Sequence, residues 1–207
     1  TDMADLTVAS IPYRLTPQFQ IPVCRKIQDA DAAFYDSLRK AGFMLTFGED
    51  ESGLGPMYLR RGSGYYIDVG ASALIADGRI KLKSGVSIEH LTEDSVVLSD
   101  GTTLAADLIV YATGYGSMNG WAAELISPEV ADKVGPCWGL GSGTSKDPGP
   151  WEGELRNMWK PTAQEALWFH GGNLAQSRHY SRYVALQLKA RLEGLPTPVY
   201  RAAAEGM

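Results

Sequence analysis

Residues 107–115 read DLIVYATGY, and this stretch constrains the fold more than any other. An apolar run at 108–111 has strand length and ends in the small-residue turn Ala112-Thr113-Gly114 before the aromatic Tyr115. In sheet-based nucleotide-binding folds, ligands sit just outside the carboxyl ends of strands. A turn of Ala, Thr and Gly lets the backbone approach a bulky ligand, because no large Cβ substituent stands in the way. The chain therefore predicts a buried strand over 108–111 with a ligand-proximal turn after it.

The residues ahead of this strand read as an antiparallel meander. Short strands are expected at 80–82, at 86–91 with alternating apolar and polar positions, and at 96–98. Asp100-Gly101 marks a hairpin turn, and 102–104 returns from it. Earlier, Pro12, Pro17 and Pro22 predict extended, loop-like chain to about Arg25, with a short strand at 7–11. A helix follows, capped by Asp29 or Asp31, with Ala33, Phe34, Leu38 and Ala41 on one face and Gly42 at its end. The acidic loop at 48–55 reads as a solvated segment. Residues 114–161 are expected to be mostly irregular, yet Trp121, Trp138, Trp151 and Trp159 argue against disorder there.

A second chemistry-bearing stretch is LWFHGGN at 167–173, leading into a long helix at about 177–193 that Gly194 closes. Unpaired amides and the positive end of a helix dipole stabilise negative charge at a helix N-terminus.

The DLIVYATGY and LWFHGGN stretches, with the meander before them, resemble the late part of flavin-containing monooxygenases and their two-dinucleotide-domain relatives. The likeness covers roughly residue 35 to the C-terminus, and the phrase Ile67-Asp68-Val69-Gly70 also matches it. It implies an α/β fold: the C-terminal part of a two-dinucleotide-binding-domain, Rossmann-like flavoprotein with an antiparallel β-meander and a long C-terminal helix. Residues 1–110 would be the remainder of the NAD(P)H-binding domain, and 111–207 the C-terminal part of the FAD-binding domain. The implied cofactors are FAD and NADP(H). The implied reaction inserts one oxygen of O2 into a small organic substrate after NADPH has reduced the flavin. The competing readings are an FAD/NAD(P)H-dependent reductase of the same superfamily, and a non-catalytic interaction module that binds no nucleotide by itself.

The resemblance places Ala112, Thr113, Gly114 and Tyr115 against the dinucleotide, and His170, Gly171, Gly172, Asn173, Gln176 and Ser177 at the flavin ring. Thr113 would bond a ribose or phosphate oxygen, whereas Tyr115 is equally a core aromatic. Asn173, Gln176 and Ser177 supply either helix capping or flavin-directed hydrogen bonds. Many relatives have Gly-Asp at the turn where this chain has Gly172-Asn173, which keeps hydrogen bonding and drops a charge. His170 has either a structural or a flavin-proximal role, and no catalytic residue is assigned. His179, with Arg178 and Arg182, would pair with phosphate or with acidic side chains.

No Gly-x-Gly-x-x-Gly occurs in the 207 residues; the Gly-x-Gly pairs at 62–64, 139–141 and 141–143 lack the third glycine. The phosphate cradle such a loop provides is missing. The chain also opens on Thr1 rather than Met. The expectation is thus a C-terminal fragment, inactive alone, whose parent carries both glycine loops in a missing N-terminal part.

The net charge of −5 weighs against a nucleic-acid partner. No apolar run has the length of a membrane span. The lone Cys24 and Cys137 read as free buried thiols in a cytoplasmic protein, and no metal-ligand spacing is present.

Overall fold

The computed structural model describes residues 2–62, 66–114, 116–140 and 153–199. It is a mixed α/β protein with one three-stranded antiparallel sheet and a long C-terminal helix. Among the described residues no helix is long and apolar enough to cross a membrane. The chain divides into two compact units: residues 1–24, 47–65 and 115–207 form the first, and 25–46 with 66–114 the second.

The N-terminal segment is helical where its prolines predict extended chain. Helix α1 spans Asp2–Ala9, a 3-10 turn covers Tyr13–Leu15, and α2 spans Thr16–Ala30. The expected strand at 7–11 is absent, since Thr7 to Ala9 close α1. Each proline has a tolerable place. Pro12 precedes the 3-10 turn, and Pro17 lies in the first turn of α2, where the missing N–H has no intrahelical partner to lose. Only Pro22 sits inside the helix, at the cost of one ladder bond.

In the first unit, α8 (Leu174–Leu192) is the longest element. Asn173 caps it through a reciprocal box: its side chain accepts from Gln176 N–H at 2.9 Å, and Gln176 Oε1 accepts from Asn173 N–H at 3.2 Å. Helix α4 (Leu54–Arg61), α6 (Met118–Leu125) and α7 (Pro128–Val134) complete the helices of this unit. The stretch expected to be irregular therefore contains α6 and α7. Ser127 initiates α7 by accepting from Val130 N–H, with Pro128 at its first position.

The core gathers Leu59, Trp138, Leu155, Met158 and Trp159, with Tyr180 and Val184 of α8 packed on it. Trp159 stacks on Tyr180 at 4.2 Å between centroids and meets Trp138 edge-on at 6.1 Å. Residues 167–170 form no strand. Phe169 makes an isolated parallel bridge with Met158, and its carbonyl accepts from Trp159 N–H at 2.9 Å. The acidic loop is more organised than a solvated charge run: Asp50 accepts from Arg60 at 2.6 Å and from Ser52, which is fully buried. The Arg60 bond holds the Asp50 carboxyl well below the usual carboxylate range.

In the second unit, α3 (Ala32–Lys40) forms where a helix is expected, but Asp31 makes no side-chain cap bond, and of the expected face only Leu38 is buried while Ala33 and Phe34 are exposed. Helix α5 (Ala71–Ala76) begins where Asp68 accepts from the backbone N–H groups of Gly70 and Ser72. Strands β1 (Ile88–Leu91), β2 (Ser95–Leu98) and β3 (Thr103–Ala105) follow as the expected meander in the order β1-β2-β3. Asp100 accepts from Thr102 N–H at 2.9 Å across the Gly101 turn. Only β2 buries alternate residues, Val96 and Leu98; β1 is exposed throughout and carries a bulge between Ile88 and His90. No strand forms at 80–82, where Ile80 lies in a bend.

The clearest departure is at 108–111. Leu108, Val110 and Tyr111 are 80%, 77% and 65% exposed, and no strand forms there. An apolar run of strand length is buried only if neighbouring strands supply ladder partners. The three-stranded sheet ends at β3, so this segment has none among the described residues.

Candidate functional site

A cavity of about 410 Å³ opens in the first unit at the start of α8. Its floor is the turn His170-Gly171-Gly172-Asn173, and its walls are Tyr58, Trp121 and Trp138. Three separate segments bring these groups together: α4 supplies Tyr58, α6 supplies Met118 and Trp121, and the chain after α7 supplies Cys137 and Trp138. The volume lies in the range of small-molecule sites, which are mostly apolar with few polar groups.

The walls are fixed in place by hydrogen bonds. Tyr58 accepts at its carbonyl from Trp138 Nε1–H at 2.9 Å, while its hydroxyl donates to Gln176 Oε1 and accepts from Asn173 N–H, both at 2.8 Å. Trp138 holds a left-handed backbone at φ 70, and its N–H donates to the Arg156 carbonyl at 2.8 Å. For a bulky residue that conformation costs of order 1–3 kcal/mol, and its presence beside a cavity marks a functional candidate. Cys137 is buried, and that burial pushes its thiol up to about 12. It is therefore no nucleophile at neutral pH. Cys24 is likewise buried and in no disulfide.

The polar groups around the cavity are few. Arg61 pairs with Glu49 at 2.9 Å. Ser117 stands immediately before α6, and its Oγ is buried with no hydrogen-bond partner among the described residues. The amides of Leu174 and Ala175 open α8 outside its intrahelical ladder.

His170, Gly171, Gly172 and Asn173 are thus gathered at one cavity. Gln176 and Ser177 sit beside it in capping roles: Gln176 closes the box with Asn173, and Ser177 Oγ donates to the Gly171 carbonyl at 3.0 Å. Ala112, Thr113 and Gly114 lie on exposed chain of the second unit, and Tyr115 falls outside the described residues. His179 is buried against Tyr180 and Tyr183, His90 lies on exposed β1, and Arg178 binds Asp5 bidentately at 2.6 and 2.7 Å. The acidic-partner alternative for Arg178 is the one realised, and Arg182 pairs with Asp2 in the same way.

No protein-family model matches the chain. No curated protein matches it either. The site must therefore be read from its own geometry.

Gly172 has φ 91, and a Cβ there would lie 2.6 Å from Gln176 Oε1 and 3.2 Å from Gln176 Cβ. The close approach that requires this glycine is to Gln176. At Gly171 a Cβ would meet only Met158 and Met118 at 3.8 and 3.9 Å, ordinary contact distances. Gly171 is consequently the position where a side chain enters the cavity without disturbing the cap.

Proposed function

We propose that this chain carries the flavin-ring pocket of an FAD- and NADPH-dependent monooxygenase. The observation that carries the reading is the cavity at the start of α8, with aromatic walls at Tyr58, Trp121 and Trp138 and a glycine floor at 171–172. Parallel and edge-on aromatic contacts suit a flat heteroaromatic ring. The backbone of Gly171 leaves room for a ring face, and the α8 amides suit a ring edge that gains negative charge on reduction.

The residues present fit the ring and not the whole dinucleotide. No third-glycine phosphate loop exists in the sequence, so pyrophosphate and NADPH binding would fall to another part of the enzyme. When bound, the flavin supplies electron transfer from NADPH and the activation of O2. The chain's own groups would do the rest: Trp121 and Trp138 cover the ring and keep water from it, and the Tyr58–Gln176–Asn173 bonds hold the turn rigid beneath it. In this reading the exposed run at 108–111 gains its strand partners from the remainder of the enzyme, as a Rossmann-like sheet requires.

Titration with lumiflavin, which is the ring without ribityl or phosphate, tests the reading. Saturable quenching of its fluorescence is expected from the indoles in the wall, together with loss of that quenching in Gly171→Val at unchanged circular dichroism. Quenching that does not saturate, or that Gly171→Val leaves intact, would overturn it.

A further inference from the structure

A second cavity, of about 310 Å³, lies in the same unit between α1, α2, α4 and α8. Tyr58 and Asn173 line both cavities, one on each side of the turn they hold. Its mouth is apolar and solvent-facing: Val8, Ile11 and Phe19 are 64%, 41% and 59% exposed. Apolar groups in that position leave water unfavourably hydrated, which drives the entry of an apolar ligand.

The inner surface carries hydrogen-bonding groups. His179 is only 7% exposed, lines this cavity, and touches Tyr180 and Tyr183 through ring contacts. Its ring nitrogens are not among the buried side-chain atoms left without a partner. An imidazole that lines a cavity offers a donor and an acceptor to a ligand group. Beside it, the Tyr13 hydroxyl donates to Tyr180 Oη at 3.2 Å and accepts from Gln176 Nε2 at 3.4 Å, leaving an acceptor position open.

Charge selects the ligand class. Asp5 stands at the cavity with its carboxylate held below the ordinary range by the Arg178 hydrogen bonds. Among the described residues that line the cavity, none is Lys or Arg. Arg178 is already engaged by Asp5, so an entering anion would find no unpaired cation, and burying a charge unpaired is costly. Phe19, Tyr58 and Tyr180 line the cavity together with His179.

We infer that this cavity binds a small neutral phenol-type molecule, its ring among the aromatic side chains and its hydroxyl on His179. The assignment stands apart from the flavin reading, because it uses a different cavity and a different ligand charge.

The probe is 4-fluorophenol, followed by 19F NMR on the whole chain, with 4-fluorobenzoate as the anionic counterpart. Saturable binding of 4-fluorophenol is expected, with 4-fluorobenzoate bound much more weakly. Val8→Trp, at an exposed position on α1, should block the mouth and abolish binding while Trp emission and circular dichroism report a folded chain. His179→Phe keeps the ring and removes the hydrogen bond, and should weaken binding by up to about tenfold. Gly171→Val should leave it unchanged. Absence of saturable binding, equal binding of the benzoate, binding that survives Val8→Trp, or its loss in Gly171→Val would each overturn the inference.

Discussion

Replacing Gly172 by alanine puts a methyl group where Gln176 already sits. The added carbon would stand 2.6 Å from Gln176 Oε1 and 3.2 Å from Gln176 Cβ. The amide end of glutamine can swing away, but Cβ is fixed by α8, so the turn or the first helical turn must shift. Three costs then combine. A left-handed backbone at a residue with Cβ costs roughly 1–2 kcal/mol. Loss of the reciprocal cap between Asn173 and Gln176 costs about 1 kcal/mol. Loss of the Tyr58–Gln176 hydrogen bond adds about 1 kcal/mol. The expected destabilisation is thus about 3–4 kcal/mol, as an upper estimate for partly exposed groups. Gly194, with φ 74 and nothing within 4 Å of its Cβ position, is the control. Gly194→Ala should cost only the backbone term, about 1–2 kcal/mol. Urea unfolding followed by tryptophan emission is the assay, since Trp121, Trp138, Trp159 and Trp168 lie in the first unit. A double-mutant cycle with Gln176→Ala should return part of the excess cost, because the Oε1 clash, the Asn173 N–H bond to Gln176 Oε1 and the Tyr58 bond go with the amide, while the 3.2 Å contact with Gln176 Cβ stays. Equal destabilisation at Gly172 and Gly194, or no coupling to Gln176, would refute the reasoning.

Three further outcomes follow from the same geometry. Cys137 and Cys24 should resist a thiol reagent at pH 8 in the native protein and react after denaturation; the raised Cys137 value of about 12 also means that its contribution to stability falls as pH rises from about 8.5. Rapid native-state labelling of both thiols would contradict this. Asp100 is held at about 2 by the Thr102 hydrogen bonds. NMR titration should therefore find its carboxylate ionised well below the usual value of about 3.9, with its contribution complete above about pH 4 and lost as pH falls towards 2; a midpoint near 3.9 would show that the turn bonds are not formed. Asp5→Asn removes the bidentate partner of Arg178 and should speed amide exchange along α1, whereas unchanged protection would mean that α1 is held by packing alone.

The elements that the sequence announces are those written in local chemistry. Helix α3 has Gly42 after it, α8 has its Asn173 cap and Gly194 stop, and the β2–β3 turn has Asp100-Gly101. Each of these signals acts within a few residues. The proline-rich start misleads because Pro12 and Pro17 sit at helix entries, where proline is harmless, and composition alone does not reveal that position. The run at 108–111 misleads for the opposite reason, since its apolar character says what it can bury and not whether a neighbouring strand is there. Of the cavity, the sequence discloses the floor at 170–173 through its two glycines. The walls stay hidden, because Tyr58, Trp121 and Trp138 come from distant segments joined by tertiary packing. Tryptophan density in a stretch expected to be irregular is the one sign of them in the sequence.

The most direct test of the proposed flavin-ring pocket uses the tryptophan indole N–H signals in a 1H–15N spectrum during lumiflavin addition. Trp121 and Trp138 line the cavity, and Trp168, whose Nε1–H donates to Gln187 at 2.9 Å, lies outside its lining. The account expects the Trp121 and Trp138 signals to shift saturably while that of Trp168 stays in place. Shifts confined to Trp168, or no saturable shift at Trp121 and Trp138, would contradict it.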